Sequence, residues 1–232
     1  MTVLKINDVS KDFTLHAQDG TRLAVFDQLS FELDASECMA LNGPSGIGKS
    51  TLMRMIYGNF HCAHGEILIR HQDDWIDIVR AHPHRILDIR RHTLGYVSQF
   101  LRVLPRVPTM EIVTEPARAQ GVADAEAETR AKDLLTRLRV PERLWSLSPM
   151  TFSGGEQQRI NLARCFAARY AVMLLDEPTA SLDAENRATV IEIIAEARAR
   201  GSAMIGVFHD QAARDALCTR EIDMSIYAER AA

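Results

Sequence analysis

Residues 43–50 read Gly43-Pro44-Ser45-Gly46-Ile47-Gly48-Lys49-Ser50, which satisfies G-x-x-x-x-G-K-[ST]. Just upstream, Cys38 to Leu41 is a short apolar run ending at Asn42-Gly43, and downstream Lys49 to Tyr57 is apolar nearly all round. Those signals in that order predict a buried strand, a Gly-rich turn and a buried helix. Glycines let the turn curl so that successive N–H groups point inward at a phosphate, and the following helix adds its positive N-terminal end. In such a cradle Gly43, Ser45, Gly46 and Gly48 contact phosphate, Lys49 reaches the β- and γ-phosphates, and the Ser50 hydroxyl ligates Mg²⁺.

A second half of the same site stands far downstream. Val172-Met173-Leu174-Leu175 is an apolar strand that ends in Asp176-Glu177. An acid at that position can hold Mg²⁺, usually through water, which assigns Asp176. Glu177, one residue on, is placed to polarise an attacking water as general base. Together the two segments predict nucleoside-triphosphate hydrolysis.

Outward from these anchors, Leu4–Val9 reads as a strand, and Val25, Leu29, Phe31 and Leu33 have the period of a half-buried one. Glu66–Arg70 and Trp75–Val79 look like a hairpin about Gln72-Asp73-Asp74. Leu94–Val97, Ala171–Leu175 and Ala203–Phe208 read as further strands. In the middle third Ala131, Leu134, Leu135 and Leu138 recur at helical spacing, with Asp124 as the expected N-cap. Ser153 and Glu156 stand three apart at the head of a second helix, the spacing of a capping box. The expectation is an α/β fold: a P-loop core with a mostly parallel sheet, an antiparallel β subdomain and an inserted helical lobe. One domain spans 1–232, with residues 1–98 and 170–232 as core and 99–169 as lobe.

The 232 residues are 47% hydrophobic and 25% charged, with 27 Lys plus Arg against 31 Asp plus Glu and a formal charge of −4. That balance suits a globular protein and excludes a basic nucleic-acid coat. No apolar stretch nears the ~20 residues of a membrane span, and no cationic segment leads an apolar run at the N-terminus, so a cytoplasmic protein is expected. Cys38, Cys62, Cys165 and Cys218 are scattered without paired spacing. His61-Cys62-Ala63-His64 and His82-Pro83-His84 lack the second pair that closes a zinc site and read as polar loops. Arg80, Arg85, Arg90 and Arg91 form a basic strip with no interleaved aromatics, hence a solvated or partner-facing surface rather than a nucleic-acid site. Trp145 reads as packing that anchors the lobe.

Phe152-Ser153-Gly154-Gly155-Glu156-Gln157-Gln158-Arg159 resembles the signature sequence of ABC-type ATPases. Gln99 after a strand, Ser181-Leu182-Asp183 after the acid pair and His209 after an apolar strand resemble that family's Q-, D- and H-loops, in the family's order. The resemblance implies ATP and Mg²⁺ as cofactors and places Phe13 against adenine. It adds Thr51 and Asp183 to the nucleotide contacts, Gln99 to the metal and catalytic groups, and His209 to the catalytic ones. It also implies that Ser153, Gly154 and Gly155 close on the γ-phosphate held by a second subunit, itself or a paralogue, in a head-to-tail pair. Phe152 and Glu156 depart from the family's commoner Leu and Gln, and Ile47 stands where small or polar residues are usual; none removes a phosphate-contacting group.

Four further stretches, Asp74–Asp77, Val97–Arg106, Val140–Trp145 and Val207–Asp210, resemble the L-type ATP-binding subunit of the bacterial phosphonate carbon–phosphorus lyase system. That likeness implies an ATP-driven clamp on soluble lyase subunits. These would join a phosphonate to the ribose of ATP with loss of adenine, forming a ribose 1-phosphonate 5-triphosphate. The alternative is the motor of a lipoprotein- or macrolide-export transporter acting on a separate membrane permease. A third reading is a nucleotide-dependent scaffold with negligible turnover.

Overall fold

Val172-Met173-Leu174-Leu175 carries no polar side chain because it belongs to a sheet covered on both faces. The computed structural model describes residues 1–15, 20–99, 101, 105–180 and 182–231; Ser181, Phe100 and residues 102–104, used above, lie outside them. In chain order the strands are β1 (Thr2–Leu15), β2 (Thr21–Asp34), β3 (Cys38–Asn42), β4 (His64–His71), β5 (Asp74–Asp77), β6 (Leu94–Val97), β7 (Val172–Asp176), β8 (Ala203–Val207) and β9 (Arg220–Asp223). The helices are α1 (Lys49–Ile56), α2 (Pro83–His92), α3 (Thr109–Ala119), α4 (Asp124–Arg137), α5 (Gly154–Ala167), α6 (Ala184–Ala199), α7 (Gln211–Leu217) and α8 (Ser225–Ala231).

The central sheet runs β6-β7-β8-β3-β9 with every pairing parallel. Alternate residues of β7 serve two cores: Met173 and Leu175 pack with Ile160 and Ile193 of the helices, Val172 and Leu174 with Leu52 and Ile56 of α1. A second, antiparallel sheet, β2-β1-β4-β5, closes over the other side of α1 through Phe26, Leu29 and Ile67. Thus α1 lies between two sheets, which bury Leu52, Met53, Met55 and Ile56, while Lys49, Ser50, Thr51 and Arg54 keep a polar face on the helix. Within 99–169, α3 and α4 pack on α5, and α5 in turn reaches β6. One buried cluster runs from Val113 and Leu135 of these helices to Leu175 of the sheet.

Parallel pairing puts all strand ends on one edge. Val97 lies opposite Leu175, Asp176 opposite Val207 and Ala40 opposite Gly206. The chain therefore leaves β3 for the Gly-rich turn, β7 for Asp176-Glu177, β8 for His209 and β6 for Gln99, all along the carboxyl edge where open α/β sheets bind ligands.

Three expectations need correction. His82-Pro83-His84 is not a loop: His82 caps α2, its Nδ1 accepting from the His84 amide at 3.4 Å, with Pro83 at the first helical position. Arg90 of the basic strip is half-buried, its Nε donating to the Tyr57 carbonyl at 2.9 Å, and still lines the surface groove between α2 and α3. Asp124 lies inside the first turn of α4, where Ala123 holds the cap position, and pairs with Arg118 Nε at 2.7 Å. The hairpin strand stops at Asp77, whose Oδ1 accepts the Val79 amide at 3.0 Å and turns the chain. Among the described residues no group of three or more His, Cys, Asp or Glu side chains could hold a metal, and no helix is long and apolar enough to cross a membrane.

Leu174→Ala should cost about 2–5 kcal/mol, because the cavity opens between two rigid layers. Urea unfolding reads it; a loss under ~1 kcal/mol would contradict burial on this face.

Candidate active site

Gly48 is the N-cap of α1 at φ 107°, and a Cβ there would lie 2.6 Å from Val25 Cγ1. Only glycine both adopts that dihedral and fits under β2. Lys49 opens α1 and folds back over the turn, its Nζ donating to the carbonyls of Gly43 at 2.7 Å and Pro44 at 2.8 Å. Burial pulls its pKa down while the nearby Glu177 and Asp176 pull it up. The ammonium thus sits on the loop's own carbonyls. Thr51 follows in the same first turn.

Asp176 ends β7 almost wholly buried, and burial pushes its pKa up against the hydrogen bonds from Tyr96 and Ser50. Ser50 Oγ donates to its Oδ1 at 3.2 Å and the Tyr96 hydroxyl to its Oδ2 at 3.1 Å. A hydroxyl and a carboxylate beside a phosphate cradle are hard oxygen donors, the set that suits Mg²⁺ held largely by phosphates and water. Gln99 is exposed and lines the same cleft, of about 510 Å³, with Arg54, Tyr96 and Asp176. Its backbone neighbour Ser98 is pinned to α5, Asn161 Nδ2 donating to the Ser98 carbonyl at 2.7 Å.

Glu177 takes φ 53°, a left-handed conformation that turns its side chain off the strand line, and its amide donates to Val207 O at 3.1 Å. His209, one loop residue past Phe208, brings Nε2 to 2.8 Å from Glu177 Oε1. They share a cleft of about 350 Å³ with Thr179, Arg187 and Asp210. A carboxylate oriented by an imidazole can take a proton from a water facing the phosphates. Arg187 braces this loop, Nη1 lying 3.1 Å from Asp210 Oδ2.

The signature segment stands apart from this cluster. Ser153 caps α5 in a full capping box, its Oγ donating to Glu156 Oε2 at 2.7 Å and its amide to the same oxygen at 2.9 Å. Those bonds hold the Glu156 carboxyl below its usual range. Among the described residues no hydrogen bond joins 153–155 to 43–50, and Ser153 and Gly154 are exposed. Asp183 caps α6, accepting the Asn186 amide at 2.8 Å. Phe13 lies near the end of β1, edge-on to Phe60 at 5.7 Å and with Lys11 Nζ 4.6 Å from its ring centre. Two contributors were not singled out from sequence. Tyr96 carries no signal beyond its place in a short apolar strand, and Arg187 sits on α6, which no motif marks.

The ABC transporter family profile matches residues 26–180. The chain is 33% identical over 210 residues to the lipoprotein-releasing system ATP-binding protein LolD of Idiomarina loihiensis, covering 90% of this chain and 88% of that protein. It is 34% identical to the arginine transport ATP-binding protein ArtP of Haemophilus influenzae, covering 88% and 84%. Against the macrolide export ATP-binding/permease protein MacB of Burkholderia pseudomallei it is 33% identical over 90% of this chain and 31% of that one. The dimeric ABC transporter cassette MJ0796 superposes with a TM-score of 0.83 at 23% identity over 95% of this chain and 94% of that chain. A second structure of the same cassette is a dimeric post-hydrolysis state bound to ADP and Pi, again at TM-score 0.83 and 23% identity, which shows the shared fold.

Glu177→Gln should slow ATP hydrolysis about 10²–10⁴-fold, or roughly 3–5.5 kcal/mol of barrier, with ATP binding retained. Wild-type turnover in a phosphate-release assay would refute the base assignment. Lys49→Ala should instead weaken nucleotide binding, and unchanged ATP affinity by calorimetry would count against the cradle.

Proposed function

This chain belongs to the ABC transporter family of ATP-binding proteins, and from that premise we propose that it is the ATP-hydrolysing motor of a membrane transporter, acting on a permease partner from the cytoplasmic side. The observation that carries the reading is Glu177 oriented by His209 at 2.8 Å on the same sheet edge as the Gly43–Ser50 turn. Relatives matching about nine-tenths of the chain are named for lipoprotein release, arginine transport and macrolide export, which supports transport over other uses of the ATPase.

In this mechanism the turn amides and Lys49 hold the triphosphate, with Ser50, Asp176 and Gln99 in reach of its divalent cation. When bound, Mg²⁺ neutralises charge between the β- and γ-phosphates. Glu177 takes the proton of the attacking water while His209 holds the carboxylate in line. Ser153 and the amides of Gly154 and Gly155 supply a second anion site without a lysine, directed at the γ-phosphate of a facing subunit, another copy or a paralogue. Loss of the γ-phosphate then loosens the pair, a two-state switch. Phe13 stacks on the base, and Asp183 and Thr51 complete the nucleotide contacts. The partner docks in the groove of about 350 Å³ between α2 and α3, walled by Leu87, Arg90, Arg91, Glu115 and Pro116.

A second reading rests on the four stretches that resemble the phosphonate lyase ATP-binding subunit. Relatives at 33–34% identity are named for three different cargoes. Under that reading the same clamp acts on soluble lyase subunits.

Affinity purification of the tagged chain from phosphate-starved cells, read by mass spectrometry, should recover a multispan permease; soluble phosphonate-processing subunits would overturn transport in favour of the lyase complex. Ser153→Arg should leave ATP binding intact and abolish Mg-ATP-dependent pairing in analytical ultracentrifugation. Pairing equal to wild type would reject the facing-subunit site.

A further inference from the structure

Asp176 is 5% exposed, and its two oxygens are held by different elements: Oδ1 by Ser50 of α1 at 3.2 Å, Oδ2 by the Tyr96 hydroxyl of β6 at 3.1 Å. Ser50 has two demands on it, because the same hydroxyl is the group that would turn to a cation. When it does, Tyr96 is the side chain left holding the carboxylate in place. Outer partners of this kind fix the orientation of a metal-binding oxygen.

Tyr96 is also tied to the partner groove. Its ring meets that of Tyr57 at 5.1 Å between centroids, and the Arg90 guanidinium lies 4.3 Å over the Tyr57 ring. Arg90 is fixed in turn by the Tyr57 carbonyl at 2.9 Å and by Asn59 Oδ1 at 2.7 Å. Tyr57, Arg90 and Tyr96 all line the α2–α3 groove. Three successive contacts therefore join the groove wall to Asp176, and their rings and guanidinium are planar and stiff. A partner segment that displaces Arg90 would disturb its contact with the Tyr57 ring, which meets the Tyr96 ring at a 52° tilt.

We infer that Tyr96 is a positioning residue whose hydroxyl aims the Asp176 carboxylate and makes that aim depend on what fills the groove. The inference rests on the reading of Asp176 as a metal-holding acid. It gives the groove a route to the metal that runs through β6 itself, beside the exposed Gln99.

The test is Mn²⁺ titration of the ATP-loaded protein by electron paramagnetic resonance, in a Glu177→Gln background so that nucleotide persists. Tyr96→Phe keeps the ring and removes only the hydroxyl. It should weaken Mn²⁺ binding about tenfold, while ATP affinity in the presence of a chelator stays at the parent value. Arg90→Ala should weaken Mn²⁺ binding by a smaller factor, and the double variant should be no worse than Tyr96→Phe alone, the signature of one shared path. Unchanged Mn²⁺ affinity in Tyr96→Phe, or effects of the two substitutions that simply multiply, would overturn the inference. Asp176→Asn separates the layers. If it retains Mn²⁺ binding, the metal assignment falls and the inference with it; if it loses binding while Tyr96→Phe does not, only the inference falls.

Discussion

The apolar face of α1 must be enclosed, and that enclosure is the constraint on which the rest of this molecule depends. Its residues Leu52, Met53, Met55 and Ile56 are buried between the parallel sheet and the antiparallel one. Each such side chain contributes about 1.5–3 kcal/mol through burial. That packing fixes where the N-terminus of α1 points. The Gly43–Ser50 turn feeds that terminus, so its aim is inherited from the core. Without the second sheet, α1 would expose apolar surface and Gly48 would lose the cover of Val25 and Phe26.

The charges at the sheet edge are arranged around that fixed point. Asp176 is buried deeply enough for its pKa to rise, whereas Glu177, one residue later, is lifted from the strand line by its left-handed backbone and meets His209. Two adjacent acids thereby face different environments, and differing environments are how neighbouring carboxyl groups take different tasks. A strained backbone persists only where its surroundings over-determine it. Here the Glu177 amide is bonded to β8 and its side chain to the loop that follows β8.

The head of α5 has a different character. Its Ser153 hydroxyl and Ser153 amide both donate to the Glu156 carboxylate. The departure from the family's commoner Gln thus has a physical consequence: the helix cap carries its own negative charge. Ser153 and Gly154 face solvent.

What the sequence determined by itself was local: the 43–50 turn, the strands that frame it, the acid pair after β7 and the Ser153 capping box. These depend on backbone geometry and hydrogen bonds a few residues apart, so residue order alone writes them. The α2 helix escaped because His82 is an unusual cap and the helix that follows is short and basic. Only the tertiary structure decided that His209 meets Glu177, that Tyr96 holds Asp176, and that Cys38 Sγ lies 3.8 Å from Cys218 Sγ across 180 positions. Each of those pairs is set by the order β6-β7-β8-β3-β9. Strand order follows from how layers close over both faces of a sheet, an energy summed over the whole core, and no short stretch of chain records it.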